Sequence, residues 1–357
     1  MSEVTTRLDV EPADEPPIEE DPGTLAPSAP RNWTAVKLVG LLLAIVLLFA
    51  LPFFVNTYLL FVANLTLVYA IATLGFNILV GWSGQIGLAH AALFAIGAYG
   101  STIGVEYGVP FLATMPLVGI GAALIAVLIG FPAIRLTGFF LAIATLAFGF
   151  VIVETLTAAN DLTGGGGGMI VEVWTLPGIT SSASTYFLTA AVAVVAFLVA
   201  RHALHGRFGR TLQAVRQLGT LVGSLGVSAL RYRLYAFAIS GAIAAVAGAL
   251  YAQLQSFIFP AMFDLNLLVP FLVMVFVGGA GSLFGPIIGA AFAVVLVEVF
   301  QDLGDLQAIA YGLALMIAIA VLPGGLVSLG AELRNSRLVG RFGRQRSASE
   351  RLVRRGQ

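Results

Sequence analysis

The sequence predicts an all-α fold: a polytopic transmembrane helix bundle of about ten spans, with both termini in the cytoplasm. Three observations carry this. The 357 residues are 59% hydrophobic and 10% charged, with a mean hydropathy of +0.98. A soluble domain carries roughly 25% charged residues and could not cover so much apolar surface. The apolar residues fall in long runs, each near the about 20 residues that cross a bilayer. Fourteen of the 18 Lys and Arg residues sit in two short polar segments, one from Arg201 to Arg233 and one from Arg334 to Arg355. Between Leu38 and Ala200 the one basic residue is Arg135. Basic residues gathered between apolar runs are the mark of cytoplasmic loops.

Residues 1–35 form an acidic, proline-containing tail in which Glu3, Asp9, Glu11, Asp14, Glu15, Glu19, Glu20 and Asp21 face Arg7 and Arg31. Such a segment cannot bury enough apolar surface to order itself. It also lacks the basic start and apolar centre of a secretory signal. The membrane-spanning body follows over 36–331. Candidate spans lie near 38–55, 58–80, 84–104, 111–131, 138–157, 186–200, 234–254, 267–279, 284–300 and 308–329. The stretch 267–300 also reads as one span plus a re-entrant piece. With the N-terminus inside, ten spans place Arg135, the loop 201–233 and a basic tail over 332–357 in the cytoplasm. The outer loops then receive Glu106, Asp161, Glu172, Asp264, Asp302 and Asp305, and no Lys or Arg. Inverting the chain would expel nearly every basic residue.

Small residues recur at four-residue spacing, as in Gly87/Ala91/Ala95, Gly241/Ala245/Ala249 and Gly285/Gly289/Ala293. In lipid, such ridges let helix backbones approach closely. They imply a tight bundle and name no substrate. With no cysteine, disulfides, thiolate metal sites and cysteine nucleophiles are excluded.

The glycine run 164–168 is not a phosphate loop, because Met169 follows it where a Lys and a Ser or Thr are required. The chain's one lysine, Lys37, lies far upstream. The run reads either as a flexible outer loop or as a place where the backbone approaches a ligand or a docking protein. No nucleotide motif is present, so an ATP-driven process needs a motor on another polypeptide. Glu154 and Glu298 fall near outer helix ends. His90 lies deepest, where it is either a neutral imidazole bonded to a neighbouring helix or a functional group. Sparse intramembrane charge argues against a secondary carrier coupled to an ion gradient.

In the segment after Gly206, Leu212, Val215, Leu218, Val222 and Leu225 recur near a 3.6 period. They predict a short amphipathic cytoplasmic helix, loosened and ended by Gly223 and Gly226. It could lie on the membrane, pack into its own protein or dock on a soluble partner.

From about Tyr58 to Leu329 the chain resembles the permease subunits of branched-chain amino acid ABC importers, of the LivM type. The resemblance rests on Gly81-Trp82-Ser83-Gly84-Gln85-Ile86-Gly87-Leu88-Ala89-His90, on Thr137-Gly138-Phe139-Phe140-Leu141-Ala142-Ile143-Ala144-Thr145, and on Gly209-Arg210 through Arg216 to Gly226. Ala236-Phe237-Ala238-Ile239-Ser240-Gly241 and Gly278-Gly279-Ala280-Gly281-Ser282 complete it. It implies a transport subunit in a bacterial-type plasma membrane that is not itself an enzyme and binds no cofactor or metal. ATP and Mg would sit on two cytoplasmic ABC ATPases. A LivH-type permease would complete a heterodimer in the bilayer, and an extracytoplasmic binding protein would deliver the substrate; nucleic acid has no part. The amphipathic helix would be the coupling helix, with Gly209 at its start, Arg210 and Arg216 as polar contacts to the ATPase, and Gly226 at its end. For the substrate pathway, Gln85, His90 and Thr145 offer hydrogen-bonding groups, and Gly165 and Gly166 offer bare backbone amides. The substrate implied is a branched-chain or related hydrophobic amino acid; related permeases import urea or short amides.

Overall fold

Nearly every element is a helix bounded where a polar or glycine residue interrupts the apolar run. The computed structural model describes residues 45–136, 138–321 and 324–328. The acidic tail, the start of the first expected span, Thr137 and the basic C-terminal segment lie outside the described residues. Residues 45–47 close an N-terminal unit, Met1–Leu47, and are helical; the rest of the chain forms a second unit, described below.

Asn56 starts the first long helix, its Oδ1 accepting from the Leu59 amide at 2.8 Å, a standard way to satisfy an orphan N–H. This helix, α1, spans Thr57–Asn77 and runs into a π-helical turn, Ile78–Trp82. Then come α2 (His90–Glu106), α3 (Phe111–Ala133) and α4 (Phe139–Ala158). A loop holds the glycine run and strand β1, Met169–Ile170, which pairs antiparallel with β2, Phe257–Ile258. Between the strands lie α5 (Ser181–His205), α6 (Arg207–Leu218) and α7 (Ala229–Gln255). Asp264 caps α8 (Leu265–Gly278), accepting from the Leu265 amide at 2.6 Å. The turn 279–284 leads to α9 (Gly285–Phe300), and α10 (Gln307–Val321) follows a 3-10 run.

Among the described residues, seven segments are long and apolar enough to cross a membrane. The shorter α2 and α10, and the helical residues before Leu51, occupy the places of three further expected spans. The stretch 267–300 is two helices joined by a turn.

At the centre, α7 packs against α1, α2 and α3. Ala244, Ala245, Ala247, Ala249 and Ala252 are buried completely. The approach is close enough that a Cβ on Gly97 would fall on the Ala245 carbonyl, and one on Gly248 on the Phe94 carbonyl. The ridge Gly285/Gly289 serves the α8–α9 contact in the same way, since a Cβ on Gly289 would strike the Met274 carbonyl. The tightest α2 crossing, however, uses Gly97 and not the expected ridge through Gly87. Periodicity marks small residues but does not choose among faces when nearly every face is apolar.

The two ends of the bundle differ in charge. One gathers Arg135 and the segment 201–233; the other carries Glu106, Asp161, Glu172, Asp264 and Asp302.

Candidate functional site

At the basic end, α6 packs on α5 and α7 through Leu212 and Val215, both buried. Of the three roles open to an amphipathic helix, packing into its own protein is the one seen. Gly209 is buried at the elbow, where a Cβ would collide with the Leu204 carbonyl. Arg207, Arg210, Gln213 and Gln217 are exposed. The helix is shorter than its pattern predicts. It ends at Leu218, and Gly219 leaves it at φ 58°, ψ −122°, a conformation that glycine adopts without strain. A 3-10 run, Gly219–Leu225, follows, and Gly226 ends that run instead of the helix. The change from 3.6 to 3.0 residues per turn rotates the apolar stripe. Val222 stays buried, but Leu221 and Leu225 are each 70% exposed; Leu218, the last residue of α6, is itself exposed.

Arg216 is the residue that links this helix to the spans. Its Nη1 donates to the carbonyl of Gly81, inside the π-helical turn that ends α1. The Arg216 side chain also lies against Gly84, where a Cβ would come within 2.7 Å of its Cγ, and beside Gly281, where a Cβ would be 3.6 Å from Nη1. Gly281 belongs to the α8–α9 turn. That turn is held in its own right by Asn77, fully buried on α1: Nδ2 donates to the Ser282 carbonyl at 2.7 Å, and Oδ1 accepts from the Gly281 amide at 2.8 Å. Gly81 sits so close that a Cβ would strike both Asn77 Oδ1 and the Gly281 nitrogen. Three elements meet here: the cytoplasmic-type helix, the interrupted end of α1 and the α8–α9 turn. The π-turn is a recurrent feature of functional sites.

Neither charge nor apolar periodicity singles out Asn77, a neutral amide inside the apolar run 58–80. An amide in an apolar span has to find a partner, and that was the available signal. Asn77→Leu is expected to leave the Gly281 N–H and the Ser282 carbonyl unpaired, a cost of about 1–3 kcal/mol for each group. The unfolding temperature of the detergent-purified protein, measured beside Asn77→Gln, checks this.

The expected pathway residues separate into two groups. Gln85, His90 and Thr145 cluster around the loop 83–89. Thr145 Oγ1 accepts from the Leu88 amide at 2.8 Å and donates to the Leu141 carbonyl at 2.9 Å, tying the loop to α4. Gln85 Nε2 donates to Ser83 Oγ at 2.7 Å, and its buried Oε1 has no partner among the described residues. His90 is enclosed between Phe76 and Phe271. Its Nε2 lies 2.9 Å from the Ala72 carbonyl and its Nδ1 3.3 Å from Ser240 Oγ. A neutral ring, donating from Nε2 and accepting at Nδ1, satisfies both and joins α1, α2 and α7.

Gly165 and Gly166 lie at the other end. Their loop is a built turn, unlike the flexible loop expected as one alternative. Thr163 Oγ1 donates to the Leu156 and Ala159 carbonyls at 2.6 and 2.8 Å and accepts from the Gly165 amide at 3.2 Å. Cβ atoms on Gly165 and Gly168 would collide with Asn160 Oδ1 and the Ile258 carbonyl. The glycines are needed for packing on the chain itself. Gly166 has open space around it.

Along α4 runs an open groove. Leu88, Ala92 and Leu146 wall its inner part. Its outer part, about 520 Å³, lies between Phe150, Val151 and Val153, with Glu154 and Asp264 at the rim. Val151, which lines it, is exposed.

Residues 58–322 match the model of a family described as the branched-chain amino acid transport system / permease component. Two relatives, each named high-affinity branched-chain amino acid transport system permease protein LivM, come from Salmonella typhimurium and Escherichia coli. Each is 32% identical over 323 residues, covering 83% of this chain and 76% of the relative. A solved structure described as an inward-facing conformation of a metal-chelate type ABC transporter covers 81% of this chain and 98% of its own, at 16% identity and a TM-score of 0.45.

Proposed function

From a chain that belongs to the family of branched-chain amino acid transport permease components, we propose a transport cycle in which branched-chain amino acids pass inward along α4 and α6 carries the drive. The chain is a multi-pass permease subunit of an ABC importer in the bacterial inner membrane. As such it works with other ABC components. In this reading those are a LivH-type second permease, two cytoplasmic ATPases and an extracytoplasmic binding protein, and this chain supplies neither chemistry nor a cofactor site.

The observation that carries the reading is the junction of α6 with Gly81 and the α8–α9 turn. A helix held only by its apolar face would slide when pushed. One tied through Arg216 to the broken end of α1 delivers the push to two spans where each is interrupted, so that rigid elements move about a hinge. The exposed Arg210 and Gln217 are the contacts to the motor; Arg216, also exposed on this helix, reaches Gly81 with its guanidinium and transmits. Gly209 supports the elbow between α5 and α6.

The groove along α4 suits a substrate with an apolar side chain and an ammonium group. Phe150, Val151 and Val153 receive the first, and the rim carboxylates of Glu154 and Asp264 attract the second. Urea has no apolar part to place there. Arg210→Glu is expected to leave the protein inserted, abolish co-purification with the ATPases and reduce ATP-dependent leucine uptake in vesicles to background. Uptake unchanged by this charge reversal would refute the coupling role, and urea competing with leucine would refute the substrate.

A further inference from the structure

A second, partly open cavity lies at the acidic end, away from the α4 groove and within this one subunit, between α1, α5 and α7. It holds about 150 Å³, the size of an engineered protein cavity that accepts one small organic molecule. It is lined by Asn64, only 2% exposed, whose Oδ1 is buried with no hydrogen-bond partner among the described residues. Asn64 stands seven residues into α1, about 10 Å below the start of that helix. An acceptor so placed in a membrane protein is costly unless a donor reaches it. The opening is formed by Ser181 and Ser182, the first two residues of α5, a helix of 25 residues. Thr180, the cap residue, makes no side-chain cap hydrogen bond. The amides of that first turn and the two hydroxyls therefore form an electropositive, donor-rich rim of the kind that holds carboxylates. Leu60, Phe61 and Leu254 supply an apolar wall. Gln253 closes the cavity from α7: its Oε1 accepts from the Trp174 amide at 2.6 Å, and its Nε2 donates to the Glu172 carbonyl at 3.1 Å, which fixes the loop above.

Among the lining residues none is charged, so a net ion would find no counter-charge. A zwitterion brings its own. We propose that this cavity is a binding site for one free α-amino acid with an apolar side chain: its carboxylate at the α5 N-terminus, its ammonium donating to Asn64 Oδ1, its side chain on Leu60 and Phe61. The site rests on the amino acid reading above and adds to it a resting place within a single permease, reached from the outer end before the α4 groove.

The test uses the assembled transporter in nanodiscs without binding protein or ATP, and measures equilibrium binding of radiolabelled L-leucine. Asn64→Leu, which removes the acceptor, is expected to weaken binding by about tenfold or more, the effect of losing a hydrogen bond to a charged group. The paired change Ser181→Ala with Ser182→Ala, at the exposed mouth where folding is not at risk, is expected to weaken it in the same direction. Because the site needs both halves of the zwitterion, 4-methylpentanoate and 3-methylbutylamine should each fail to displace leucine. Equal binding by the wild type and both variants would overturn the proposal. So would an absence of leucine binding in a transporter that still imports leucine when supplied with its binding protein, since the cavity would then hold water alone. Failure to import leucine under any condition would instead remove the amino acid reading itself.

Discussion

Arg216→Ala is expected to reduce leucine uptake by more than about tenfold while ATP hydrolysis by the assembled transporter continues. The side chain donates a charge-assisted hydrogen bond to the Gly81 carbonyl. Bonds to charged groups contribute about 1.5–3 kcal/mol, a factor of about ten to a hundred in any equilibrium they bias. In the proposed cycle, removing this one leaves α6 attached through Leu212 and Val215, so the motor would keep its docking surface and lose only the tie to the end of α1. Arg216→Lys should rescue only part of the uptake, because an ammonium is a point charge and cannot replace the planar fork that lies against both Gly81 and Gly281. Uptake and hydrolysis, measured in the same proteoliposomes, separate the alternatives. Loss of both together would mean that Arg216 supports assembly, and loss of neither would mean that the junction transmits nothing.

The other large effect concerns packing. Gly97→Val and Gly248→Val should each prevent accumulation of folded protein in the membrane. At both positions the new atoms meet a backbone carbonyl of the facing helix, Ala245 or Phe94, and a carbonyl cannot rotate away as a side chain can. Overpacking a core costs about 1–3 kcal/mol when side chains absorb it; here α2 and α7 must separate. Both helices lie at the centre, where Phe94, Ala98 and Ala245 are completely buried. Gly121→Val on α3 is the control, since nothing lies within 4 Å of its added Cβ. Fluorescence-detected size-exclusion chromatography of the three variants gives the result directly. A monodisperse Gly97→Val protein at wild-type yield would contradict the close approach.

Much of the architecture was legible in advance. The order of the spans follows from apolar runs long enough to cross a bilayer, and the segregation of Arg135 and 201–233 from Asp161, Glu172 and Asp264 follows from charge alone. The amphipathic helix was found from its period, but its end was misplaced. The apolar repeat continues through Val222 and Leu225, whereas Gly219 breaks the helix by its backbone conformation, which a repeat does not encode. The candidate site was less legible. Gln85 and Thr145, which belong to two separate motifs, both bond within the loop 83–89. Gly165 and Gly166 lie at the opposite end, and within the glycine run it is Gly165 and Gly168 that packing against Asn160 and β2 requires.

By itself the sequence determined where this chain meets lipid and where it meets water, because hydropathy and charge are properties each segment carries with it into the membrane. Only the tertiary structure decided which polar groups meet. Arg216 and Gly81 are 135 positions apart, and Asn77 and Gly281 are 204 apart. In an environment without water, a buried donor or acceptor is stable only where another segment brings its complement, and that pairing is fixed by how the helices cross.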